Sequence, residues 1–245
     1  FSGKACGKGA FERVNGGENG FSPSVVRRRG AEGVVQRLFT GLSAVYSRVY
    51  PQVRKAPKLV GKAYLCSMNE KLKVDEMGRL GLTDFRAARK FPLSVVLDNV
   101  RSVHNVGSVF RTADAFRLRE VLLCGITAVP PSAEMHKTAL GAEDSVAWRH
   151  FASTADALAE LRARGVKVCV LEQCRRSVAL QDFVFEPGSE YALVLGHEVH
   201  GVAQSVVDAA DVVLEIPQFG TKHSLNVSVA AGMALWEMVK KGRFV

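Results

Sequence analysis

The sequence predicts an α/β domain, a mostly parallel sheet with helices on both faces. Short runs dense in Val, Leu and Ile recur after Met68, with the continuous apolar character of strands buried on both sides. Segments with apolar residues at helical spacing separate them, so strands and helices alternate. With 47% apolar side chains over 245 residues, the chain has ample material for a core.

The first strand is expected at residues 93–97. A helix follows over 106–116, because Val106, Val109, Phe110 and Ala113 fall at i, i+3, i+4 and i+7. Asn105 is placed to cap it through its side-chain oxygen, and Arg111 stands just outside the apolar stripe. Strands are expected at 121–124, 166–171, 191–195 and 212–216, with helices at 155–164 and 203–209. The last helix, 225–239, is apolar nearly all round and studded with Ala and Gly, which implies burial on every side and close backbone packing. The first strand is not followed by G-x-G-x-x-G, and the chain has no Walker phosphate loop, so a standard dinucleotide or P-loop site is unsupported.

The charge is uneven. The chain carries 33 Lys and Arg against 24 Asp and Glu, a formal +9, which suggests a polyanionic partner. Yet residues 1–67 hold 12 basic and 3 acidic side chains, while 68–245 hold 21 of each. The first part is rich in Gly and Ser and contains Arg27, Arg28 and Arg29 in a row. Within it, Val34, Leu38, Leu42, Val45 and Val49 suggest a short basic amphipathic helix, weakened by Gly41 and ended by Pro51. Three accounts of this arm compete: an extension that grips RNA, an organelle-targeting presequence, or sequence foreign to the native protein. The jump in acidic content at Met68 favours the third. The expected division is a flexible basic arm, 1–67, and a self-sufficient domain, 68–245.

No apolar run approaches the roughly 18 residues that would span a bilayer, so a membrane role is not expected. The five cysteines, Cys6, Cys66, Cys124, Cys169 and Cys174, are odd in number and lack a C-x-x-C pair. They read as thiols in a reducing compartment, consistent with a cytoplasmic protein. His197, Glu198 and His200 are one residue too close for the H-E-x-x-H pattern, and no metal site is expected.

Three segments carry polar residues where strands end. The first, 98–116, runs from a strand through a polar loop into the helix bearing Asn105 and Arg111. In open parallel sheets the carboxyl ends of strands face the ligand crevice. The second, 193–201, passes from a strand into a turn with Gly196 and Gly201 at its ends, presenting Glu198. The third, 216–234, sets Ser224 and Asn226 at the mouth of the last helix, where a buried polar group must find a partner. A bland reading of each exists: Asn105 and Ser224 as caps, Arg111 as a solvated helix residue, Glu198 in an ordinary turn.

Together, these segments resemble the three signature motifs of the SPOUT superfamily, in its SpoU/TrmH branch of RNA ribose 2'-O-methyltransferases. Residues 105–116 match N-x-G-x-x-x-R-T-A-x-A-F, 195–201 match L-G-x-E-x-x-G, and 216–230 match I-P…S-L-N-V-S-x-A. Three motifs in order at the right spacing are specific; the resemblance covers about 93–241 and stops short of the basic arm. It implies a deep C-terminal trefoil knot, S-adenosyl-L-methionine as methyl donor, tRNA or rRNA rather than DNA as partner, and a homodimer. By match of motif, Leu195, Gly196, Ile216 and Leu225 line the cofactor pocket. Arg111 lies at the ribose hydroxyl, as base or as phosphate clamp. The base role is awkward for a guanidinium whose pKa exceeds about 12. Asn105, Glu198, Ser224 and Asn226 then orient Arg111 and the ribose, with Glu198 able to hold the arginine. Two positions depart from the pattern: His197 where Asn is common, and Gln218 where an apolar residue is common. The rival readings are a non-catalytic RNA-binding or ribosome-assembly protein on the same fold, and a knotted base methyltransferase. Arg101, Arg111, Arg117 and Arg119 are the expected source of any RNA-binding surface on the neutral domain.

Overall fold

The computed structural model describes residues 71–242. The expectations for the arm 1–67, its helix, Cys6 and Cys66 fall outside the described residues. After a 3-10 turn at Val74–Met77 and a short helix α1 (Leu82–Ala87), the chain enters strand β1 (Phe91–Asp98). There follow α2 (Val103–Ala115), β2 (Leu118–Cys124), α3 (Ala133–Ala139), α4 (Ala142–Ser145), β3 (Trp148–Phe151), α5 (Thr154–Ala163) and β4 (Lys167–Leu171). Last come β5 (Val178–Ala179), β6 (Tyr191–Leu195), α6 (Gln204–Asp208), β7 (Val212–Glu215) and α7 (Val227–Lys241).

The strands form one parallel sheet in the order β3-β2-β1-β6-β4-β7-β5. Leu97 sits opposite Leu195, and Val170 opposite Val194. Parallel strands need crossovers, and these cover both faces, which is why β1 and β6 read as unbroken apolar runs. On one face Leu93, Val95 and Leu97 pack with Val106, Val109 and Phe110 of α2 and Ala231, Leu235 and Met238 of α7. On the other, Val96, Val168, Val170 and Val194 meet Ala157, Leu158 and Leu161 of α5 and Val206 of α6. Each fully buried Leu or Val contributes about 1.5–3 kcal/mol relative to exposure.

The two ends of the sheet differ. At the amino end, Phe91, Phe183, Phe185 and Tyr191 form an aromatic cluster, with Phe185 and Tyr191 ring centroids 4.4 Å apart. The carboxyl end is polar. There β1 sends the chain toward β2, whereas β6 sends it through α6 to β7 on the other side. The crevice between the ends of β1 and β6 is therefore the topological switch point, where open α/β sheets bind ligands.

Several expectations need correction. Helix α2 begins at Val103, and its N-cap is Ser102, whose Oγ accepts from the Asn105 N–H at 3.3 Å; Asn105 lies inside the first turn. Helix α7 begins at Val227, so Leu225 lies outside it, and it is not buried all round: Val229, Met233 and Trp236 are 52%, 45% and 57% exposed. The sheet provides one apolar face to pack against, and these residues point away from it. Arg117 and Arg119 lie at the amino end of the sheet, away from its polar carboxyl end: Arg117 sits at the end of α2, its carbonyl accepting from the Phe91 N–H, and Arg119 pairs with Glu190 at 2.6 Å. Elements α1, α3, α4, β3 and β5 were not foreseen.

Candidate active site

The first segment is held in shape by buried polar groups. Thr127 Oγ1 donates to the Leu97 carbonyl and accepts from the Val100 N–H, both at 3.0 Å, so the backbone leaving β1 is fixed. Asp98, 2% exposed, accepts from Thr154 Oγ1 at 2.5 Å and the Ala203 N–H at 3.1 Å, joining the chain after β1 to the starts of α5 and α6. Asn99 adopts the left-handed conformation (φ 56°), and its Oδ1 accepts from the Ile126 N–H.

The second segment is a closed turn. The His197 N–H donates to the Gly201 carbonyl at 3.1 Å, and the Gly201 N–H to the His197 carbonyl at 2.8 Å. Both glycines are structurally required. A Cβ on Gly196 would lie 2.2 Å from the Gly201 carbonyl carbon, and Gly201 has φ +66° with Glu172 Oε2 where its Cβ would be. His197 Nδ1 accepts from the Val199 N–H at 3.0 Å and the His200 N–H at 3.3 Å. An Asn side-chain oxygen can accept from the N–H groups of a turn in the same way, so His197 keeps the turn chemistry expected of Asn at this position.

Glu198 projects from that turn onto the start of α2. Its Oε2 accepts from the Arg101 N–H at 3.0 Å, and its Oε1 from the Ser102 N–H at 2.9 Å and Asn105 Nδ2 at 3.0 Å. Burial alone would push this carboxyl up; the Arg101 and Ser102 N–H groups and the Asn105 amide outweigh it and hold it at about 2. Glu198 is thus a fixed anion at a helix N-terminus, where the unpaired N–H groups and the helix dipole favour one. It does not hold Arg111, as the sequence allowed.

The third segment joins through Asn105. Asn226 is the N-cap of α7: its Oδ1 accepts from the Ser228 N–H at 2.9 Å and the Val229 N–H at 3.3 Å. Its Nδ2 donates to Asn105 Oδ1 at 3.2 Å. The Ser228 hydroxyl lies 2.7 Å from Asn226 Oδ1 and 3.3 Å from Asn105 Oδ1. One chain of bonds, Glu198–Asn105–Asn226, therefore connects segments separated by about a hundred residues. Ser228 was missed; its signal was an Asn followed two positions on by Ser at a helix start.

Other expected residues lie outside this chain of bonds. Ser224 and Arg111 are exposed, and neither side chain has a hydrogen-bond or ionic partner among the described residues. Arg111 is six residues beyond Asn105, about 9 Å along α2. Leu195 is buried at the end of β6, Gly196 and Ile216 are half-buried, and Leu225 is 38% exposed. The N–H groups of 218–225 make no hydrogen bond within the described residues and are open to a ligand. A hollow of about 270 Å³, lined by Arg101, Ser102 and Glu198, opens on the bonded chain. A wider depression of about 480 Å³ beside Pro130, His136, Glu143 and Trp148 holds none of the motif residues.

A family model described as the SpoU rRNA Methylase family matches residues 92–236, well over half of the chain. The chain belongs to the SpoU rRNA methylase family. It is 35% identical over 149 residues to the 23S rRNA (guanosine-2'-O-)-methyltransferase RlmB of Nitrosomonas europaea, an alignment covering 61% of this chain and 56% of that one. It is 30% identical over 159 residues to the tRNA (guanosine(18)-2'-O)-methyltransferase of Escherichia coli, covering 64% and 66%. The chain thus spans between half and two thirds of these relatives' lengths. Among solved structures, the TrmH/SpoU tRNA modifying enzyme from A. aeolicus superposes with a TM-score of 0.59 at 27% identity, covering 66% of this chain and 82% of that one. An AdoMet-bound rRNA methyltransferase from Sinorhizobium meliloti gives 0.59 at 28%, covering 66% and 60%. The SpoU family fold accounts for the parallel sheet; among the described residues no helix is long and apolar enough to cross a membrane.

Proposed function

We propose that this SpoU family protein transfers a methyl group from S-adenosyl-L-methionine to a ribose 2'-hydroxyl of tRNA or rRNA. The observation that carries the reading is the Glu198–Asn105–Asn226 chain of bonds, which gathers the polar residues of all three family motifs at the switch point. The relatives named above supply the reaction class. S-adenosyl-L-methionine brings a methyl already activated by its sulfonium.

The residues present fit that group. It would lie against Leu195, Gly196, Ile216 and Leu225, with the open N–H groups of 218–225 as donors to its polar ends. The protein's remaining tasks are to align the ribose and to handle one proton. Asn105, held by Glu198 and Asn226, fixes the wall of the site; Ser224 and Asn226 flank the ribose. Arg111, exposed and unpaired among the described residues, serves as phosphate clamp in preference to base, because a guanidinium surrenders a proton at high cost. Arg101 and Lys222 also make no ion pair among the described residues, and they extend a cationic rim for the RNA backbone.

Two further features belong to this reading. A homodimer is supported by Val229, Met233 and Trp236, an apolar stripe at i, i+4 and i+7 of α7 that a second copy would cover. A C-terminal trefoil knot, which the family resemblance implies, belongs to the same reading. A reducing, cytoplasmic setting suits Cys124 and Cys169, which burial pushes up to about 12 and so keeps inert.

The test is methyl transfer from labelled S-adenosyl-L-methionine to bulk tRNA and rRNA by the full chain. Transfer by the wild type and its loss in Arg111→Ala, with cofactor binding retained, is expected. Cofactor binding without transfer to either RNA pool would overturn the reading.

A further inference from the structure

The end of β4 carries two polar side chains outside the three motifs, and each grips a different motif segment. Strand β4 lies between β6 and β7, and the Glu172 N–H still donates to the Leu214 carbonyl of β7 at 2.9 Å. Glu172 Oε2 accepts from the Val202 N–H at 3.0 Å, filling the space that the missing Cβ of Gly201 leaves open. Its Oε1 accepts from the Gln173 N–H at 2.9 Å, which fixes the carboxylate against its own backbone. Gln173 then reaches the other way: its Nε2 donates to the His223 carbonyl at 2.9 Å. Successive side chains of an extended segment leave on opposite sides, so neighbours can reach two loops.

The His223 bond has particular weight. Among the described residues, the backbone of 218–225 makes no other hydrogen bond, and every side chain from Gln218 to Asn226 is exposed. That loop is otherwise held only by its ends, β7 and the Asn226 cap. We propose that Glu172 and Gln173 are positioning residues, a brace that sets the separation of the turn 196–201 and the loop 216–226 around S-adenosyl-L-methionine. This rests on the reading that these two segments hold the cofactor. The brace touches neither RNA nor the reacting atoms, so its loss appears in cofactor affinity.

The experiment compares wild type with Gln173→Ala, Gln173→Glu and Gln173→Lys as full chains. S-adenosylhomocysteine affinity is measured by calorimetry, thermal stability by unfolding, and KM for S-adenosyl-L-methionine against kcat at saturation. Loss of one neutral hydrogen bond corresponds to about three- to tenfold weaker binding. Gln173→Ala is expected to show that weakening, with kcat within about twofold and the melting temperature within about 2 °C. Gln173→Glu opposes an acceptor to the His223 carbonyl and binds more weakly still; Gln173→Lys restores a donor and recovers part of the affinity. In the KM for the cationic S-adenosyl-L-methionine, a response to charge alone would give the reverse order, and that order would overturn the proposal. Unchanged affinity, or affinity and melting temperature falling together, would overturn it too. If the wild type binds no cofactor, the methyltransferase reading fails and this inference with it. Wild-type binding with indifferent variants fails the inference alone.

Discussion

Replacing Glu198 by Gln tests whether the anion at the start of α2 joins the motifs as described. The side chain keeps its shape, but its NH2 must face a donor, either the Arg101 N–H or the Ser102 and Asn105 pair. A carboxyl held at about 2, against an ordinary value near 4.3, corresponds to about 3 kcal/mol as an upper bound. The side chain is partly open to water, and screening reduces this to about 1–2 kcal/mol. At pH 7 the variant should be less stable by that amount, melting about 2–8 °C lower. Because the folded-state pKa is depressed, the contribution is fully present above the unfolded value of about 4.3 and disappears as pH falls toward 2. Urea unfolding of both proteins at pH 7, 5, 4 and 3 should show the gap closing below about pH 5. A gap that is the same at every pH, or absent at pH 7, would refute the electrostatic account.

Three more changes probe other parts of the site. Gly196→Ala puts a Cβ 2.2 Å from the Gly201 backbone, which cannot yield without opening the turn; loss of S-adenosylhomocysteine binding together with a stability loss above about 2 kcal/mol is expected from calorimetry and unfolding. Asn105→Asp sets a second carboxylate about 3 Å from Glu198 Oε1, so methyl transfer should fall at neutral pH. Its stability deficit should shrink as pH is lowered and the pair takes up a proton, which denaturation at pH 7 and 5 would reveal. Trp236→Glu places a charge in the exposed stripe of α7; sedimentation should show dissociation of the proposed homodimer, and an unchanged mass would count against that surface.

Much of this was legible in the sequence because it depends on local pattern. The expected strand 191–195 is the observed β6, since a centrally placed parallel strand reads as an uninterrupted apolar run. Strand β3, Trp148–Phe151, escaped notice because among the described residues it is an edge strand, with no fully buried residue and paired only with β2. Helices α3 and α4 are seven and four residues long, too short for a period to emerge. The polar motif residues announced themselves by type, but not their partners. Asn105 looked like a cap because Asn favours that place, yet Ser102 took it and freed the Asn105 amide to bridge Glu198 and Asn226. Helix α7 looked buried on all sides because composition does not tell a face against the sheet from a face left for another surface.

The sequence by itself determined the class of fold, the order of its principal elements, the family and the residue types at the site. Those follow from periodicity and from motifs that survive as strings. Tertiary structure decided which end of the sheet gathers the motif residues, and that Glu198 serves the backbone of α2 and not Arg111. It also showed that Glu172 and Gln173, outside every motif, hold two of the segments. The reason is physical: hydrogen bonds between residues about a hundred positions apart depend on strand order, and strand order is set by how the whole core packs.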